Sequence, residues 1–237
     1  MKYFDYLTPA NRWDAAAEFP VEFLTAARII SEYVAAGDKL LDLDGDVGRL
    51  GMYFADMGCS VTLVDRSANA IEFVKYKAKA SFTDISVVCG DISNVEDRFD
   101  LIIARYDDNE NSERLNSVSQ RLKDHGTLAL WVTTPAYEVQ KLLQLCPDKL
   151  PEDIIPADPD NIFVNAKHIK KLLNNNGLSV SRIFSPTGIL TMADSSVIAS
   201  RDDAFVRLMD LSISACDKDA VISASTSLIF ICNKEQL

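Results

Sequence analysis

Short apolar runs alternate with segments of helical periodicity along most of the chain. Five such runs in the first part of the sequence predict strands, at residues 39–43, 60–65, 85–89, 99–104 and 127–132. Because each run is almost entirely apolar, we expect strands that are covered on both faces, as in a mainly parallel sheet. Right-handed crossovers then place helices on both faces of the sheet, so the pattern predicts the α/β class.

The helical segments carry apolar residues at the spacing of a buried stripe. The residues expected on these buried faces are Phe23, Leu24, Ala27, Ile30 and Val34 in 20–37; Leu50, Phe54 and Met57 in 48–58; and Ile71, Val74 and Ala78 in 68–80. Ser67 is a suitable N-cap for the third of these helices. A further helix is predicted at 112–126, where Gly126 would end it.

The second half of the chain is less regular. The pattern predicts a helix at 166–177 and two closing strands at 178–185 and 226–234. Between these strands, residues 200–217 contain a helical stripe of Phe205, Leu208, Met209 and Ile213, whereas 146–163 is a proline-rich acidic loop. Because the strand pattern resumes after that loop, we expect residues 1–237 to form a single domain.

Composition limits the classes of function. The formal net charge of −11 disfavours non-specific binding to nucleic acid, and the short basic run at 167–171 reads as a solvated helix face. The cysteines are scattered, mostly in apolar runs and without ligand spacing, which predicts reduced, buried thiols in a cytoplasmic protein without a metal site. No apolar run reaches the length of a membrane helix, and the N-terminus does not resemble a secretory signal.

Residues 39–67 have the pattern of a nucleotide-binding βαβ unit. A strand leads into a turn with Gly45 and Gly48, then a helix, then a second strand that ends at Asp65. A helix N-terminus attracts the polar end of a ligand, and an acid about 20 residues after the turn can accept hydrogen bonds from ribose hydroxyls. The alternative role for Asp65 is to cap the helix that follows it.

This unit resembles motifs I and II of the class I S-adenosylmethionine (SAM) dependent methyltransferases. The segments "VVCGDIS", "FDLIIARYDD" and "RLKDHGTLALWV" are similar to later elements of that family, in the same order. The resemblance implies a Rossmann-like fold: a seven-stranded, mostly parallel sheet with an antiparallel last strand and helices on both faces. It also implies SAM as the cofactor, with transfer of a methyl group to an O or N atom of a small molecule.

The resemblance also implies where the cofactor binds. The corresponding residues are Asp42, Asp44, Gly45, Asp46, Gly48, Asp65, Arg66, Asp91, Ile92 and Arg105, with Asp91 near the adenine amino group and Ile92 against the ring. Residues near the carboxyl ends of strands four and five are the catalytic candidates: Arg105, Tyr106 and Asp107, then Thr133 and Thr134. His125 and His168 are expected at the surface. No metal ligand is implied.

Two aspartates depart from the family pattern. Asp44 and Asp46 stand where the first two glycines of motif I belong, and Gly45 lies one place out of register. Holding a residue other than glycine in the left-handed conformation costs about 1–2 kcal/mol, which Asp tolerates better than most. A carboxylate beside SAM would repel its carboxylate or attract its cations by up to about 4 kcal/mol. The alternative function is therefore a protein of this fold with lost or altered SAM use: a pseudoenzyme, a partner subunit or a binding module.

A nicotinamide-dependent oxidoreductase shares the βαβ start but fits the glycine register and the later strands less well. For a methyltransferase, we expect an N-terminal helical lid at 1–36 and insertions at 134–164 and 188–220 near the acceptor pocket. Tyr3, Phe4, Tyr6 and Trp13 either belong to that lid or pack the first helix on the sheet. The expected partner is a small-molecule acceptor, with no nucleic acid and no membrane; a homodimer is left open.

Overall fold

Seven strands form one sheet in the order β3-β2-β1-β4-β5-β7-β6. The computed structural model describes residues 21–106, 112–134, 166–188 and 203–235. The strands are β1 Lys39–Leu43, β2 Ser60–Asp65, β3 Ser86–Cys89, β4 Phe99–Tyr106, β5 Leu122–Thr133, β6 Leu178–Phe184 and β7 Ser227–Lys234. Neighbouring pairs from β3 to β5 are parallel, and β7 runs antiparallel to both β5 and β6. The predicted seven-stranded sheet with an antiparallel last strand is confirmed.

The helices cover both faces of this sheet. They are α1 Val21–Ile30, α2 Arg49–Asp56, α3 Ala68–Ser81, α4 Ser112–Arg121, α5 Ala166–Asn175, α6 Asp203–Ala215 and α7 Asp219–Ala224, with short 3-10 helices at Ser31–Tyr33 and Ile92–Asn94. On one face, Leu115 of α4 and Leu173 of α5 pack in a core with Leu41 and Leu43 of β1. On the other face, α1 and α2 pack against Leu40 and its neighbours. Most strands are therefore buried on both sides, as the apolar runs predict.

Most of the predicted helix faces are buried. Ile71, Val74 and Ala78 lie in the core, and the Ser67 hydroxyl accepts the Ala70 N–H at 3.2 Å, so the predicted N-cap is confirmed. Two residues were placed wrongly, since Leu24 is 37% exposed and Met57 is 41% exposed. The buried face of α1 contains the predicted Ala27 and Ile30 and extends over Val21, Thr25, Ala26 and Ile29, which leaves Leu24 facing outward. Met57 lies just past the last residue of α2, where the helix face no longer continues.

The predicted boundary between the fourth helix and the fifth strand is wrong. The helix ends at Arg121, and the next residue, Leu122, already pairs with Phe99 of β4. The register then shifts between Phe99 and Leu101, and His125 takes a left-handed conformation with φ 64°. Residues 122–126 therefore form the start of strand β5 and not the end of a helix. The pairing with β4 is irregular there, and this stretch contains polar residues.

One cysteine differs from the expectation of buried thiols. Cys59, Cys216 and Cys232 are buried, but Cys89 is exposed. Cys89 ends β3, an edge strand with a single neighbour in the sheet, so its surroundings cover it less than the inner strands are covered. The fifth cysteine, Cys146, lies outside the described residues.

Several predictions fall outside the described part of the chain. They concern residues 1–20 with their aromatic side chains, Asp107, the proline-rich loop at 146–163 and the side chain of Phe205. Within the described ranges, no helix is both long enough and apolar enough to cross a membrane.

Candidate functional site

The predicted site residues gather at the carboxyl edge of the sheet. Asp42 lies in β1, the turn 44–48 follows that strand, Asp65 ends β2, and Arg105 is close to the end of β4. β1 and β4 are neighbours in the sheet. After β1 the chain continues to β2 on one side of this pair, and after β4 it continues to β5 on the other side. In open α/β sheets, ligands bind in the crevice outside the strand ends at such a switch point. The topology therefore brings most of the predicted residues to one crevice.

The turn after β1 has the backbone conformation of a glycine-rich loop, although two of its residues are aspartates. Asp44 and Asp46 have φ values of 58° and 49°, and Gly48 has φ 76°. The N–H groups of Asp44 and Gly45 donate to the Val64 carbonyl at 2.8 and 3.3 Å, and the Gly48 N–H donates to the Gly45 carbonyl at 2.8 Å. These bonds hold the turn against β2, so the aspartates occupy left-handed positions that favour glycine.

Gly45 is required by close packing rather than by its backbone angles. A Cβ atom there would lie 2.8 Å from Leu63 Cδ1 and 2.9 Å from Asp42 Cγ. Gly51 in α2 is similar, since its Cβ would lie 2.9 Å from Asp42 Oδ2. The glycine that seemed out of register is thus the one that lets the turn cross the Asp42 side chain. Sequence reasoning missed Gly51, which continues the same glycine spacing into the helix.

Asp42 is a buried carboxyl group beneath the turn, with 4% of its surface exposed. Its Oδ2 accepts the Gly51 N–H at 2.9 Å. Burial raises the pKa of Asp42 to about 7; the Gly51 N–H and the Arg105 charge lower it, and the charges of Asp44 and Asp65 raise it further. Asp42 therefore ties the start of α2 to β1.

Asp65 fixes the turn after β1 and the start of α3, which is the structural one of its two predicted roles; the ribose role stays a prediction. Its Oδ2 accepts the Asp46 N–H at 2.9 Å, and its Oδ1 accepts the Ser67 N–H at 2.7 Å, just before α3. The Asp65 carbonyl also accepts the Gly90 N–H at 3.0 Å. Each carboxylate oxygen has a second lone pair, so the side chain can fix the turn and still accept a hydroxyl from a ligand. Arg66, the next residue, is exposed.

Asp91 and Ile92 take structural roles in the loop after β3. Asp91 Oδ1 accepts both the N–H and the hydroxyl of Ser93, at 2.9 and 2.6 Å, and these bonds lower the pKa of Asp91. Within the described residues, the hydrogen bonds of this carboxylate fall on Oδ1, which leaves Oδ2 able to contact a ligand. Ile92 is 7% exposed and belongs to the hydrophobic core on the α4 and α5 side of the sheet, so only a small part of it can contact an adenine ring.

Arg114 is a site residue that the sequence did not reveal. It lies in the first turn of α4, and its Nη2 donates to Asp44 Oδ2, while its Nη1 donates to the Arg105 carbonyl at 3.3 Å. The side chains of Arg114 and Asp44 are 13% and 25% exposed. The two residues are 70 positions apart in sequence, and no local pattern links them. The ion pair balances the charge of Asp44 and spans the ends of β1 and β4.

The catalytic candidates have different surroundings. The exposed Arg105 guanidinium lies 5.1 Å from the Trp131 ring centroid. Tyr106 is half-buried and lines a small cavity with Arg114 and Leu115, while Asp107 lies outside the described residues. The structure thus leaves Arg105 accessible at the edge of the crevice.

The threonines after strand β5 differ in the same way. Thr134 is buried, and its hydroxyl donates to the Ser225 carbonyl at 2.9 Å, so that group already has a structural use. Thr133 is exposed. The two histidines, His125 and His168, are exposed as predicted. In the part of the chain that the structure describes, no cluster of three or more His, Cys, Asp or Glu residues could hold a metal ion.

Comparison with known proteins gives a family match for the region that carries this crevice. Residues 41–126 match the family described as a methyltransferase domain. That range runs from β1 into β5 and includes the turn, Asp65, Asp91 and Arg114. Among curated proteins, no sequence matches the chain.

Solved structures share the whole fold at low sequence identity. A TehB-like SAM-dependent methyltransferase from Corynebacterium glutamicum is 17% identical, with coverage of 95% of this chain and 96% of that chain and a TM-score of 0.59. A chain of the complex between the Haloferax volcanii Trm112 methyltransferase activator and a methyltransferase is 15% identical, with 100% and 99% coverage and a TM-score of 0.63. Magnesium protoporphyrin IX methyltransferase from Synechocystis, with bound S-adenosylhomocysteine (SAH), is 16% identical, with 93% and 84% coverage and a TM-score of 0.55.

Proposed function

We propose that this chain is a class I SAM-dependent methyltransferase and that it methylates an O or N atom of a small molecule; the match of residues 41–126 to a methyltransferase domain and the order of the strands support the first part. The observation that carries the proposal is the turn at 44–48. It keeps left-handed conformations at three positions although two of them are aspartates, and inside it a Cβ atom at Gly45 would lie 2.8 Å from Leu63 Cδ1. Most N–H groups of the turn donate within the protein, so the groups offered to a polar ligand are those of the first turn of α2, to which the turn leads.

The described residues fit SAM in three places. Asp65 has lone pairs that can accept the ribose hydroxyls, and Asp91 Oδ2 can accept the adenine amino group. The turn at 44–48 would lie against the methionine part of the cofactor, because it follows β1 at the crevice shared with β4. Bound SAM supplies an electrophilic methyl group on a sulfonium. The work left to the protein is to orient the acceptor in line with that group and to exclude water.

Arg105 is the described side chain best suited to orient an acceptor. It is exposed at the end of β4, and it lies over Trp131 of the neighbouring strand. A guanidinium there can hold an anionic or carbonyl group of the substrate with fixed geometry, which favours an anionic or carbonyl-bearing acceptor. The net charge of −11 supports a small molecule rather than a nucleic acid as the acceptor. Free cysteines at 59, 89, 216 and 232 support a reducing compartment, the cytoplasm.

Calorimetric titration with SAH tests the proposal. The wild-type protein should bind with a micromolar dissociation constant. Asp65→Asn should weaken binding at least tenfold, because the amide NH₂ has no lone pair for a ribose hydroxyl. Asp97→Asn is the matched control, since Asp97 is an exposed carboxylate that pairs with Lys39 at the opposite edge of the sheet. No binding at millimolar SAH would contradict the proposal.

A second candidate function keeps the fold without SAM use. The Asp44–Arg114 ion pair favours this alternative, because it spans the crevice that a cofactor would enter. In a pseudoenzyme, partner subunit or binding module, Asp44 and Arg114 would stay in contact because no cofactor would separate them. The same titration separates the two candidates, and restoring glycine at both 44 and 46 completes the comparison. Tighter SAM binding by that double variant would identify the aspartates as an impairment of the site.

A further inference from the structure

Glu22, in the first turn of α1, lies at the carboxyl edge of the sheet. Its Oε1 accepts the Ser227 hydroxyl at 3.2 Å. Ser227 is the first residue of β7 and pairs with Thr133, the last residue of β5. β5 and β7 lie on the side of β4 that is away from β1 and its turn. The exposed Glu22 side chain therefore stands beside the crevice, on the side opposite to the residues assigned to the cofactor.

Arg105 brings an opposite charge to the same face of the sheet. Leu101 and Ile103 of β4 belong to the core that α1 packs against. Side chains alternate between the faces of a strand, so Arg105, two residues after Ile103, lies on the α1 face as well. Its guanidinium lies 5.1 Å from the ring centroid of Trp131, which is part of the same core. Glu22 and Arg105 are thus brought together from a helix and from a neighbouring strand end.

The two charges act on each other at a distance. Burial raises the pKa of Glu22, whereas the Arg105 charge and the Ser227 hydroxyl lower it. A carboxylate that is exposed and still loses hydration is open to solvent on one side and surrounded by protein on the others. Among the described residues, no ion pair joins Glu22 to Arg105, and the hydrogen bond of this carboxylate falls on Oε1. Glu22 Oε2 and the Arg105 guanidinium can therefore both contact a ligand.

The helices packed against α1 carry further charges. α2 and α6 are these helices, and their described charged side chains are Arg49, Asp56, Arg207 and Asp210. Of the described charges, it is that of Arg105 that shifts the pKa of Glu22. The electrostatic partner of Glu22 at this edge is therefore Arg105.

A small molecule that carries an amine and an anionic group matches both charges. Its ammonium can donate to Glu22 Oε2, and its anionic oxygens can accept from the planar guanidinium of Arg105 in a bidentate pair. A molecule with one charge gains only one of these contacts. The separation of the two protein charges thus favours an acceptor that carries both.

We infer that Glu22 and Arg105 form the acceptor subsite, that the acceptor is an amine with a carboxylate or other anionic group, and that Glu22 is the base for the amine. This inference rests on the proposed function. It narrows the methylated atom to nitrogen, and it adds Glu22 as a catalytic residue.

The proton step balances without a further reactant. The ammonium of the acceptor gives one proton to Glu22 Oε2, which frees the nitrogen lone pair. The nitrogen then bonds to the methyl carbon as the carbon–sulfur bond breaks, and the electron pair of that bond stays on sulfur in SAH. The positive charge of the sulfonium passes to the methylated nitrogen, and Glu22 later returns its proton to water. Oriented general-base catalysis of this kind contributes about 10² to 10⁴ in rate.

The charge preference can be tested in the wild-type protein saturated with SAH. Glycine, β-alanine and 4-aminobutyrate present both charges at three spacings. Acetate, propionate and butyrate lack the amine, and methylamine, ethylamine and propylamine lack the carboxylate. We expect NMR titration to show at least one amino acid binding about tenfold more tightly than both analogues of its chain length. Equal binding of the analogues, or no amino acid bound at about 10 mM, would overturn the inference.

Two variants assign each preference to its residue. Glu22→Gln keeps an oxygen that accepts the Ser227 hydroxyl but loses the charge, and Arg105→Gln loses the guanidinium. In Glu22→Gln, the amino acid should bind no better than its carboxylate analogue. In Arg105→Gln, it should bind no better than its amine analogue. A uniform loss for all three ligands in either variant would contradict the assignment of that residue.

The base role needs a readout that positioning alone would not change. In the wild type, the rate of SAH formation at saturating SAM and amino acid should rise as the pH increases through the pKa of Glu22, because only the ionised carboxylate takes a proton. Glu22→Gln should lower this rate about a hundredfold and remove the rise. Equal rates, or a preserved rise, would overturn the base role. Binding without turnover by the wild type would overturn the amine as the methylated atom.

Glu32→Gln is the matched control. Glu32 lies in the 3-10 helix that follows α1, at the opposite edge of the sheet, and pairs with Arg182 at 3.1 Å. This variant should keep both charge preferences and the pH profile. SAH affinity separates the inference from the proposed function: Glu22→Gln should bind SAH as the wild type does. If the wild type fails to bind SAH, both fail; if SAH binds but the charge preference is absent, the acceptor subsite alone fails.

Discussion

Asp42 shows how one residue can link the site to the stability of the fold. It is buried beneath the turn, and burial raises its pKa from 3.8 to about 7. A carboxyl group whose pKa is higher in the folded state binds its proton more tightly there than in the unfolded chain. Its contribution to stability is therefore fully present below its unfolded pKa and is lost as the pH rises through the folded value.

The expected consequence is a pH-dependent difference between the wild type and Asp42→Asn. The amide oxygen can still accept the Gly51 N–H, but the side chain no longer ionises. Between pH 4 and pH 7, the free energy of unfolding of the wild type should fall relative to the variant by about 3 kcal/mol. Urea titrations at several pH values measure this difference, with Asp97→Asn as the control for loss of an exposed carboxylate. A constant difference would contradict the assigned pKa.

For single residues, the sequence was enough to identify Asp44 and Asp46 as unusual, but not to identify what their side chains contact. Asp44 and Asp46 could be placed at left-handed positions because the glycine pattern of the turn is local. Arg114 could not be found, since its contact with Asp44 spans 70 residues and depends on how β1 and β4 come together. In the structure, the Asp44 carboxylate faces the guanidinium of Arg114.

At the scale of single elements, helix α3 is followed by a residue in a conformation that its side chain does not favour. Phe82 follows Ser81 with φ 59° and ψ 28°, and its N–H donates to the Ala78 carbonyl, as glycine commonly does at this position. Its side chain is 96% exposed and so contributes little packing. The β-carbon at a positive φ is therefore a cost without compensation in the folded chain.

We expect Phe82→Gly to raise the free energy of unfolding by about 0.5 to 1 kcal/mol, because relief of the left-handed strain exceeds the added backbone entropy of glycine. Phe82→Ala is the matched control: it removes the ring but keeps the β-carbon, so stability should barely change. Chemical denaturation of the two variants gives the comparison. Equal stabilisation by both would instead attribute the effect to loss of an exposed ring.

The elements themselves were largely predictable, for a physical reason. Strands β1 and β2 begin and end where their apolar runs do, because parallel strands buried on both faces need unbroken apolar sequence. The start of β5 was not predictable in this way. Residues 122–126 include Lys123, Asp124 and His125, which look like a helix end, and only pairing with β4 makes them part of a strand. Apolar runs predict the strands that are buried on both faces. They do not predict polar residues that join a strand only because they pair with a neighbouring strand.

The whole molecule combines a switch-point crevice with a strongly acidic chain. Its formal charge is −11, and its calculated isoelectric point is 4.6. A charge of this sign attracts cations and repels polyanions over distances up to a Debye length, about 8 Å at physiological salt. Small acceptors are affected mainly by the local charges at the crevice, such as Arg105. Nucleic acids would meet the field of the whole surface.

A nucleic acid would contact much of the acidic surface, whereas a small molecule would contact only the crevice. A measurement of RNA binding therefore tests the class of the acceptor. Proteins that bind nucleic acid non-specifically do so with dissociation constants of about 10⁻⁴ to 10⁻⁶ M at physiological salt, through clusters of basic side chains that release counterions. We expect fluorescence anisotropy with a labelled single-stranded RNA to show no saturable binding up to about 10 μM protein at that salt concentration. Repeating the titration at lower salt should leave the result unchanged, because repulsion becomes stronger as screening falls. Saturable binding that weakens steeply with added salt would instead reveal a basic surface and would move the proposed acceptor from small molecules to nucleic acids.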